Sequence, residues 1–439
     1  MSELASEPST RRASRRTEPS VSGAESGDST AMSVVPGPAR GTDIRWPVLI
    51  LGFLAVLLDG YDSTALGLAV PTLSHTWHVP ASHFTAALSL TSLGVAIGYL
   101  TCGRLSARYG RRGVVTVAVA AFTVGSLLNA VVQTTTELSL VRLFTGLGLG
   151  AVLPAAVSLA TAVNPARYRQ MIAIFVAMAI AVGALIAGLL GARLIGLYGW
   201  RSVFIAGGIG SALLIPALWF GLPSETPDSA SAPPTPESSS VTRLFDEGYR
   251  LRTTLLWAFG LLMFGVYFIF SSWLPTLLTS YGFSASLAPL GSAALGGGSI
   301  LSGLVLMAAG VRYRIASILV VTTVIAIAFL ALSSRLGPDK ALLLTVFAGV
   351  GFGLQAAMIG QTGLAATMYP PRTATTGVGW SASLGRIGSV LGPIVGGAML
   401  GLGMPTRTIV LAACAPVLVA LVLITALRRR TSVAGEAFE

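Results

Sequence analysis

Twelve apolar runs, each close to membrane-spanning length, alternate with short polar gaps along the chain. A helix needs about 20 predominantly apolar residues to cross the hydrocarbon core. Runs of that kind fall near 46–70, 84–102, 114–133, 138–162, 171–193 and 202–221. A second set follows near 255–278, 286–308, 315–334, 341–367, 375–401 and 407–427. Between the sets the pattern breaks, and residues 222–253 contain PDSASAPPTPESSS, a polar Pro/Ser linker. The pattern predicts an all-α polytopic membrane protein of twelve transmembrane helices in two six-helix halves, 46–221 and 254–427. Residues 1–45 are rich in Ser, Arg, Glu and Pro and too poor in apolar positions to fold, so they read as a disordered tail, as do residues 428–439.

The halves repeat one another. VPTL (70–73) follows the first span and LPTL (274–277) follows the seventh. Each precedes a Gly/Ser-rich helix and a basic turn, GRLSARYGRR in one half and GVRYR in the other. NPARYR (164–169) likewise pairs with PPRTAT (370–375). Gly183, Gly188 and Gly191 in the fifth span and Gly388, Gly392 and Gly396 in the eleventh set small residues at close-packing intervals. Two similar halves joined by a soft linker are the architecture of an alternating-access carrier, with its substrate near the midplane between them.

Composition sharpens this picture. Charged residues are 10% of the chain, where soluble domains run near ~25%, and no soluble fold is compatible with that. The net charge of +11 would suit a nucleic-acid partner if the basic residues formed a face, but they cluster in the gaps between spans. With the N-terminus inside, 21 Lys and Arg fall on the cytoplasmic side against 5 outside, and Arg142 and Arg386 lie within spans. The split predicts both termini in the cytoplasm and insertion in a cell's inner membrane. Cys102 and Cys414 sit in apolar runs far apart in sequence and point to no disulfide.

The chemistry is confined to very few residues. Of 17 acids only Asp59 and Asp62 lie well inside a span, and their i,i+3 spacing puts both on one face of a helix. A charge at the bilayer centre costs at least ~2.5–3.5 kcal/mol, so the pair needs an internal partner or an aqueous cavity. It reads either as a structural ion pair with Arg142 or Arg386 or as a proton-carrying pair, since desolvation and a like-charged neighbour both favour the protonated carboxyl. Arg386 is too central to reach the surface, and its planar fork suits a carboxylate substrate. Arg142 is placed a turn inside the outer face, as a substrate contact or as a snorkelling anchor. Tyr267, Tyr61, Trp380 and Gln355 complete the candidate substrate-binding set. In residues 103–113, Gly103, Arg104, Arg108, Gly110, Arg111 and Arg112 form either a cytoplasmic gate, latched by arginines on helix C-termini, or a simple topology anchor. His75, His78 and His83 share the first outer loop with no Cys or acid, so no metal site is expected. No catalytic Ser/His/Asp set, phosphate loop or cofactor motif appears, and no enzyme activity is expected.

These motifs resemble a known family. Over nearly all of 46–427 the chain is similar to the major facilitator superfamily and, within it, to the aromatic acid:proton symporters. GRLSARYGRR resembles the superfamily loop between helices two and three, and RLFTGLGLGA (142–151) its fourth-helix motif. More specific are DGYD (59–62) and TGVGWSASLGRIGSVLGP (376–393). The resemblance implies proton-coupled uptake of a small aromatic carboxylate such as benzoate or a hydroxybenzoate, by a monomer in the lipid bilayer. Asp59 and Asp62 would serve coupling, and Arg142 and Arg386 transport or substrate binding. A carrier of another organic anion, or a proton-coupled drug exporter, is the alternative. The chain departs from the superfamily pattern at Ala107, where an Asp is usual, at Asn164, and in the short GVRYR loop.

Overall fold

A computed structural model describes residues 44–223, 244–246, 249–310, 312–337 and 339–436, and among these there is no β-strand. The expected N-terminal tail up to residue 43 and most of the Pro/Ser linker lie outside the described residues. In chain order the helices are α1 Trp46–Trp77, α2 Thr85–Asn129, α3 Thr135–Val163, α4 Arg169–Tyr198, α5 Arg201–Gly221 and α6 Arg250–Thr279. They continue as α7 Leu290–Ala309, α8 Ile315–Arg335, α9 Lys340–Met368, α10 Pro371–Gly401, α11 Thr406–Ala412 and α12 Cys414–Glu436. Among the described residues eleven helices are long and apolar enough to cross a membrane.

One of those eleven is two segments. Straight, the 45 residues of α2 would run to about 68 Å at 1.5 Å per residue, more than twice the hydrocarbon thickness. The helix breaks at Gly110, where φ is 74° and ψ 153°, a backbone region essentially reserved for glycine. The two arms then run in opposite directions along α3. Gly94 and Gly125 lie on the neighbouring α3 residues Gly146 and Thr145, while farther along α3 Cys102 contacts Ala151 and Phe122 lies on Gly148. The expected turn over 103–113 thus contracts to one residue, because the arginine-rich stretch continues both helices beyond their apolar cores.

Other boundaries move for similar local reasons. Asp339 caps α9 by accepting from the Leu342 amide at 3.1 Å. Thr134 caps α3, accepting from the Glu137 amide at 3.2 Å while Glu137 accepts from the Gln133 amide at 2.9 Å. The Thr134 hydroxyl satisfies a free amide of the first turn, and the two bonds start α3 before its apolar run. α6 begins at Arg250, inside the expected linker. There the Thr253 hydroxyl donates to the Leu244 carbonyl at 2.7 Å, which ties the linker's end to the helix. The last span is interrupted at Ala413, and α12 continues to Glu436, into the segment expected to be a tail.

The halves meet through α1 with α6, α4 with α7, and α2 with α10. Small residues permit the approach: a methyl at Gly188 would strike Ala293 of α7 and Pro289 just before it, and one at Gly296 would strike Ala181 and Leu185 of α4. Where α2 meets α10, Thr85 lies on Gly397 at the end carrying the histidines. Gly103 of α2 and Gly379 of α10, nearer the arginine-rich end, have nothing within 4 Å of an added Cβ. Contact between these two helices is close at Thr85 and Gly397, whereas Gly103 and Gly379 are exposed.

Candidate functional site

Both aspartates of α1 are buried, with Asp59 7% exposed and Asp62 1%. Their surroundings differ. Arg142 on α3, itself fully buried, donates from Nη1 to Asp62 Oδ1 at 2.9 Å. Its Nη2 donates to the Asp62 carbonyl at 3.2 Å, and its Nε to Thr91 Oγ1 at 3.1 Å. Every nitrogen of the guanidinium is thereby committed inside the N-terminal half, so Arg142 here is neither an anchor reaching the surface nor a group facing the partner half. Asp62 Oδ2 has no hydrogen-bond partner. Ser126 stands close to Asp62, but its hydroxyl donates to the Phe204 carbonyl at 3.1 Å.

Asp59 has no such lock. Ser63, one turn on, donates to its Oδ1 at 3.2 Å, and Arg386 of α10 is the cation whose charge it feels. Among the described residues no ion pair within 4 Å joins the two. The Arg386 guanidinium instead lies over the Tyr99 ring of α2, 5.0 Å from its centroid. Arg386 and Tyr99 are both half-buried although each stands mid-helix. A carboxylate on one half and a guanidinium on the other thus influence each other without an ion pair.

The Major Facilitator Superfamily profile matches residues 52–362. The chain belongs to that superfamily. It is 30% identical to the gallate transporter of Pseudomonas putida over 82% of this chain and 86% of that one. It is likewise 30% identical to the 4-hydroxybenzoate transporter PcaK of the same species, over 86% and 91%. The 3-(3-hydroxy-phenyl)propionate transporter of Escherichia coli K12 is 31% identical over 84% and 91%. Among solved structures the fold matches the nucleoside transporter NupG with a TM-score of 0.69 at 18% identity, covering 87% of this chain and 98% of that one. A D-xylose-proton symporter matches with a TM-score of 0.68 at 15% identity, covering 87% and 97%. The chain is a multi-pass membrane transporter, not an enzyme.

The other predicted site residues fall into groups. Tyr61 points into the N-terminal half, where its hydroxyl donates to the Val203 carbonyl at 3.1 Å and its ring lies on Gly207 of α5. The structure does not bring it to Asp59. Tyr267 is buried on α6 beside Ser299 of α7, edge-on to Phe268 at 5.6 Å. Gln355 is half-buried, with its Oε1 unpartnered. Trp380 is 42% exposed and stacks on Trp257 of α6 at 6.0 Å.

The candidate gate residues surround the break at Gly110. Gly103, Arg104 and Arg108 are exposed, and Arg111 and Arg112 half-buried. Arg108 lies over Tyr109 at 5.3 Å and Arg112 over Trp219 of α5 at 4.7 Å, both within the N-terminal half. Asn164, one of the departures from the superfamily pattern, accepts from the Arg45 amide at 2.7 Å and joins the end of α3 to the start of α1. His75 and His78 stand 6.4 Å apart ring to ring. Among the described residues no group of three His, Cys, Asp or Glu side chains is placed to hold a metal ion. Sequence reasoning missed Thr91 and Tyr99, which orient the two arginines. A lone Thr in an apolar span gives no signal, whereas an aromatic in the Gly-rich second span, GYL, gives a faint one.

Proposed function

We propose that this transporter imports a small aromatic carboxylate together with protons, by alternating access, in the inner membrane of the cell. The observation that carries the reading is the separated pair across the interface, Asp59 on one half and Arg386 on the other, without a bond between them. One guanidinium balances one negative charge. When a substrate carboxylate takes Arg386 in a bidentate contact, the charge on Asp59 loses its counter-ion, and a proton on Asp59 restores the balance. Substrate and proton therefore favour each other's binding, which is the requirement for symport.

The energetics agree. An anion moving against a negative-inside potential costs about 2.3 kcal/mol per 100 mV. One proton carried with it removes that term, and each unit of pH gradient then contributes about 1.4 kcal/mol. The aromatic assignment rests on relatives named for gallate, 4-hydroxybenzoate and 3-(3-hydroxy-phenyl)propionate. The arginine distribution supports cytoplasmic termini of a monomeric carrier. Uptake of labelled aromatic acids into proteoliposomes under an imposed pH gradient tests the proposal. Accumulation that collapses with the gradient is expected; uptake indifferent to the gradient, or confined to non-aromatic anions, would refute it.

A further inference from the structure

Successive residues of a helix point about 100° apart, so residues 60–63 sample four directions around α1 near the middle of its length. Three of these directions are packed. A methyl at Gly60 would collide with the Ile180 backbone of α4, the Tyr61 ring lies on Gly207 of α5, and Asp62 is bonded to Arg142 of α3. The fourth direction belongs to Ser63, the one exposed residue between Ala55 and Val70. Residues one turn apart share a face. Asp59, one turn before Ser63, is buried, and Gly67, one turn after it, lies against the Ser271 and Ser272 carbonyls of α6. The face that carries Ser63 therefore looks toward the C-terminal half, and its exposure gives water a contact at a depth where α1 is otherwise packed.

Asp59 itself has little such contact, at 7% exposed. Among the described residues the side chain hydrogen-bonded to it is Ser63, whose hydroxyl donates to Oδ1 at 3.2 Å. The charged groups that bear on it are Arg386 of α10 and, on its own helix, Asp62. A guanidinium does not give up its proton, and Asp62 is held by Arg142. Neither is suited to hand a proton to Asp59. A serine hydroxyl donates one hydrogen bond and accepts two, so Ser63 has the capacity to bond the carboxylate and a water together.

We propose that Ser63 is the proton port of Asp59, relaying the coupled proton between water on the side of the C-terminal half and the buried carboxylate. The proposal rests on the reading of Asp59 as the proton site of a symporter. On loading, a hydronium ion bonded to the Ser63 Oγ gives it a proton as the Ser63 hydroxyl proton passes to Oδ1 of Asp59. One O–H bond breaks on the hydronium and one on Ser63, while one forms on Ser63 and one on Asp59. A water is left and the serine is regenerated; release runs the same steps backward. Net uptake needs the relay in every turnover, because Asp59 takes up a proton outside and loses it inside. Exchange of substrate across the membrane does not need it, because the carrier shuttles with its proton in place.

The test compares Ser63→Thr with Ser63→Val, which differ by a hydroxyl in place of a methyl. Gradient-driven uptake and counterflow of labelled 4-hydroxybenzoate and gallate are measured in proteoliposomes holding each variant. Ser63→Thr keeps the relay and should stay within about twofold of wild type in both. Ser63→Val should lose at least about tenfold in the rate of gradient-driven uptake, while counterflow and KM stay within about twofold. That loss is smaller than the roughly 10²–10⁴-fold typical of a positioned proton-transfer group, because Asp59 keeps a slight exposure of its own. Ser63→Ala, which leaves room for a water in the hydroxyl's place, should show the same split to a smaller degree and decides the matter if Ser63→Val fails to reach the membrane. Uptake and counterflow falling together would make Ser63 a packing residue, and unchanged uptake in Ser63→Val would let Asp59 exchange its proton directly; either overturns the relay and leaves the carrier reading intact. Accumulation that survives in Asp59→Asn, or a wild type that accumulates neither acid, would instead remove the reading on which the relay rests.

Discussion

Asp62 and Asp59 sit one turn apart on α1, yet the protein handles their charges in opposite ways. Asp62 is bound within one half: Arg142 reaches it with a side-chain and a backbone contact, and Thr91 fixes the arginine's third nitrogen. Asp59 looks across to the other half, with a weak hydroxyl contact from Ser63 at 3.2 Å and a cation that touches an aromatic ring instead. A pair inside one rigid half cannot report which way the carrier faces, because nothing about it changes when the halves rock. A pair divided between halves can. The difference separates an ion pair that holds a structure from an arrangement that senses a cycle, and substitutions at these residues can break that separation.

The largest effect should fall on the locked pair. Removing one partner of a buried ion pair leaves an uncompensated charge and costs about 3–5 kcal/mol. Arg142→Ala should therefore reduce the amount of folded protein in the membrane and lower its melting temperature in detergent. The double variant Asp62→Asn/Arg142→Gln, which strands no charge, should recover much of that loss. A melting temperature of Arg142→Ala equal to wild type would show that the pair is not structural.

Arg386 should behave in the reverse manner. Among the described residues it has no carboxylate within ion-pair distance to strand, so Arg386→Ala should reach the membrane at normal abundance. Loss of a bidentate carboxylate contact in a partly dry site costs about 2–5 kcal/mol, more than about thirtyfold in substrate affinity. Arg386→Lys keeps the charge but not the fork and should also fail. Unchanged affinity in Arg386→Ala would move the anchor elsewhere.

Asp59→Asn should produce a subtler defect, visible only against a gradient. The amide imitates the protonated acid, so exchange of substrate across the membrane should continue while accumulation stops. What is lost is the roughly 1.4 kcal/mol that each pH unit contributes. Asp62→Asn, which leaves Arg142 buried without its counter-charge, should lose exchange as well. Gradient-driven accumulation surviving in the double Asn variant would sink proton symport through these acids.

Much of this was legible in the residues, but the pairing was not. Hydropathy located the spans, charge counting isolated two acids and two arginines, and helix periodicity put both acids near one face. Which arginine meets which acid depends on how α3 and α10 dock against α1, and that is tertiary information. The apolar run alone places Arg142 too near the outer face, because the polar first turn of α3, opened by Thr134 and Glu137, hides the helix start. From Thr135, Arg142 lies seven residues in, about 10 Å along the axis. The capping-box spacing of Thr134 and Glu137 was visible in the sequence and could have corrected this. Periodicity could also have set Tyr61 aside, since a residue two positions from Asp59 faces nearly the opposite way. No periodicity argument finds Gln361 lying on Gly260, a close approach between α9 and α6 that exists only in the assembled half.

The smallest expected effect concerns Tyr99, and it bears on why Arg386 stays apart from Asp59. A guanidinium 5.0 Å over a phenol ring is within the range of a cation–π contact worth about 0.5–2 kcal/mol, more where water is thin. The ring lies on α2, in the same half as Asp59, so both compete for one cation. Holding Arg386 on a neutral, polarisable face leaves its fork free for an incoming carboxylate, whereas a direct bond to Asp59 would have to be broken first. Tyr99→Phe keeps the ring and should leave KM within about twofold, because the cation–π attraction survives loss of the hydroxyl. Tyr99→Leu removes the ring. Arg386 should then shift toward Asp59, so that substrate must displace it, and KM should rise several-fold with abundance unchanged. If Tyr99→Leu and Tyr99→Phe transport alike, the ring is only a neighbour, and the separation of Asp59 from Arg386 needs another cause.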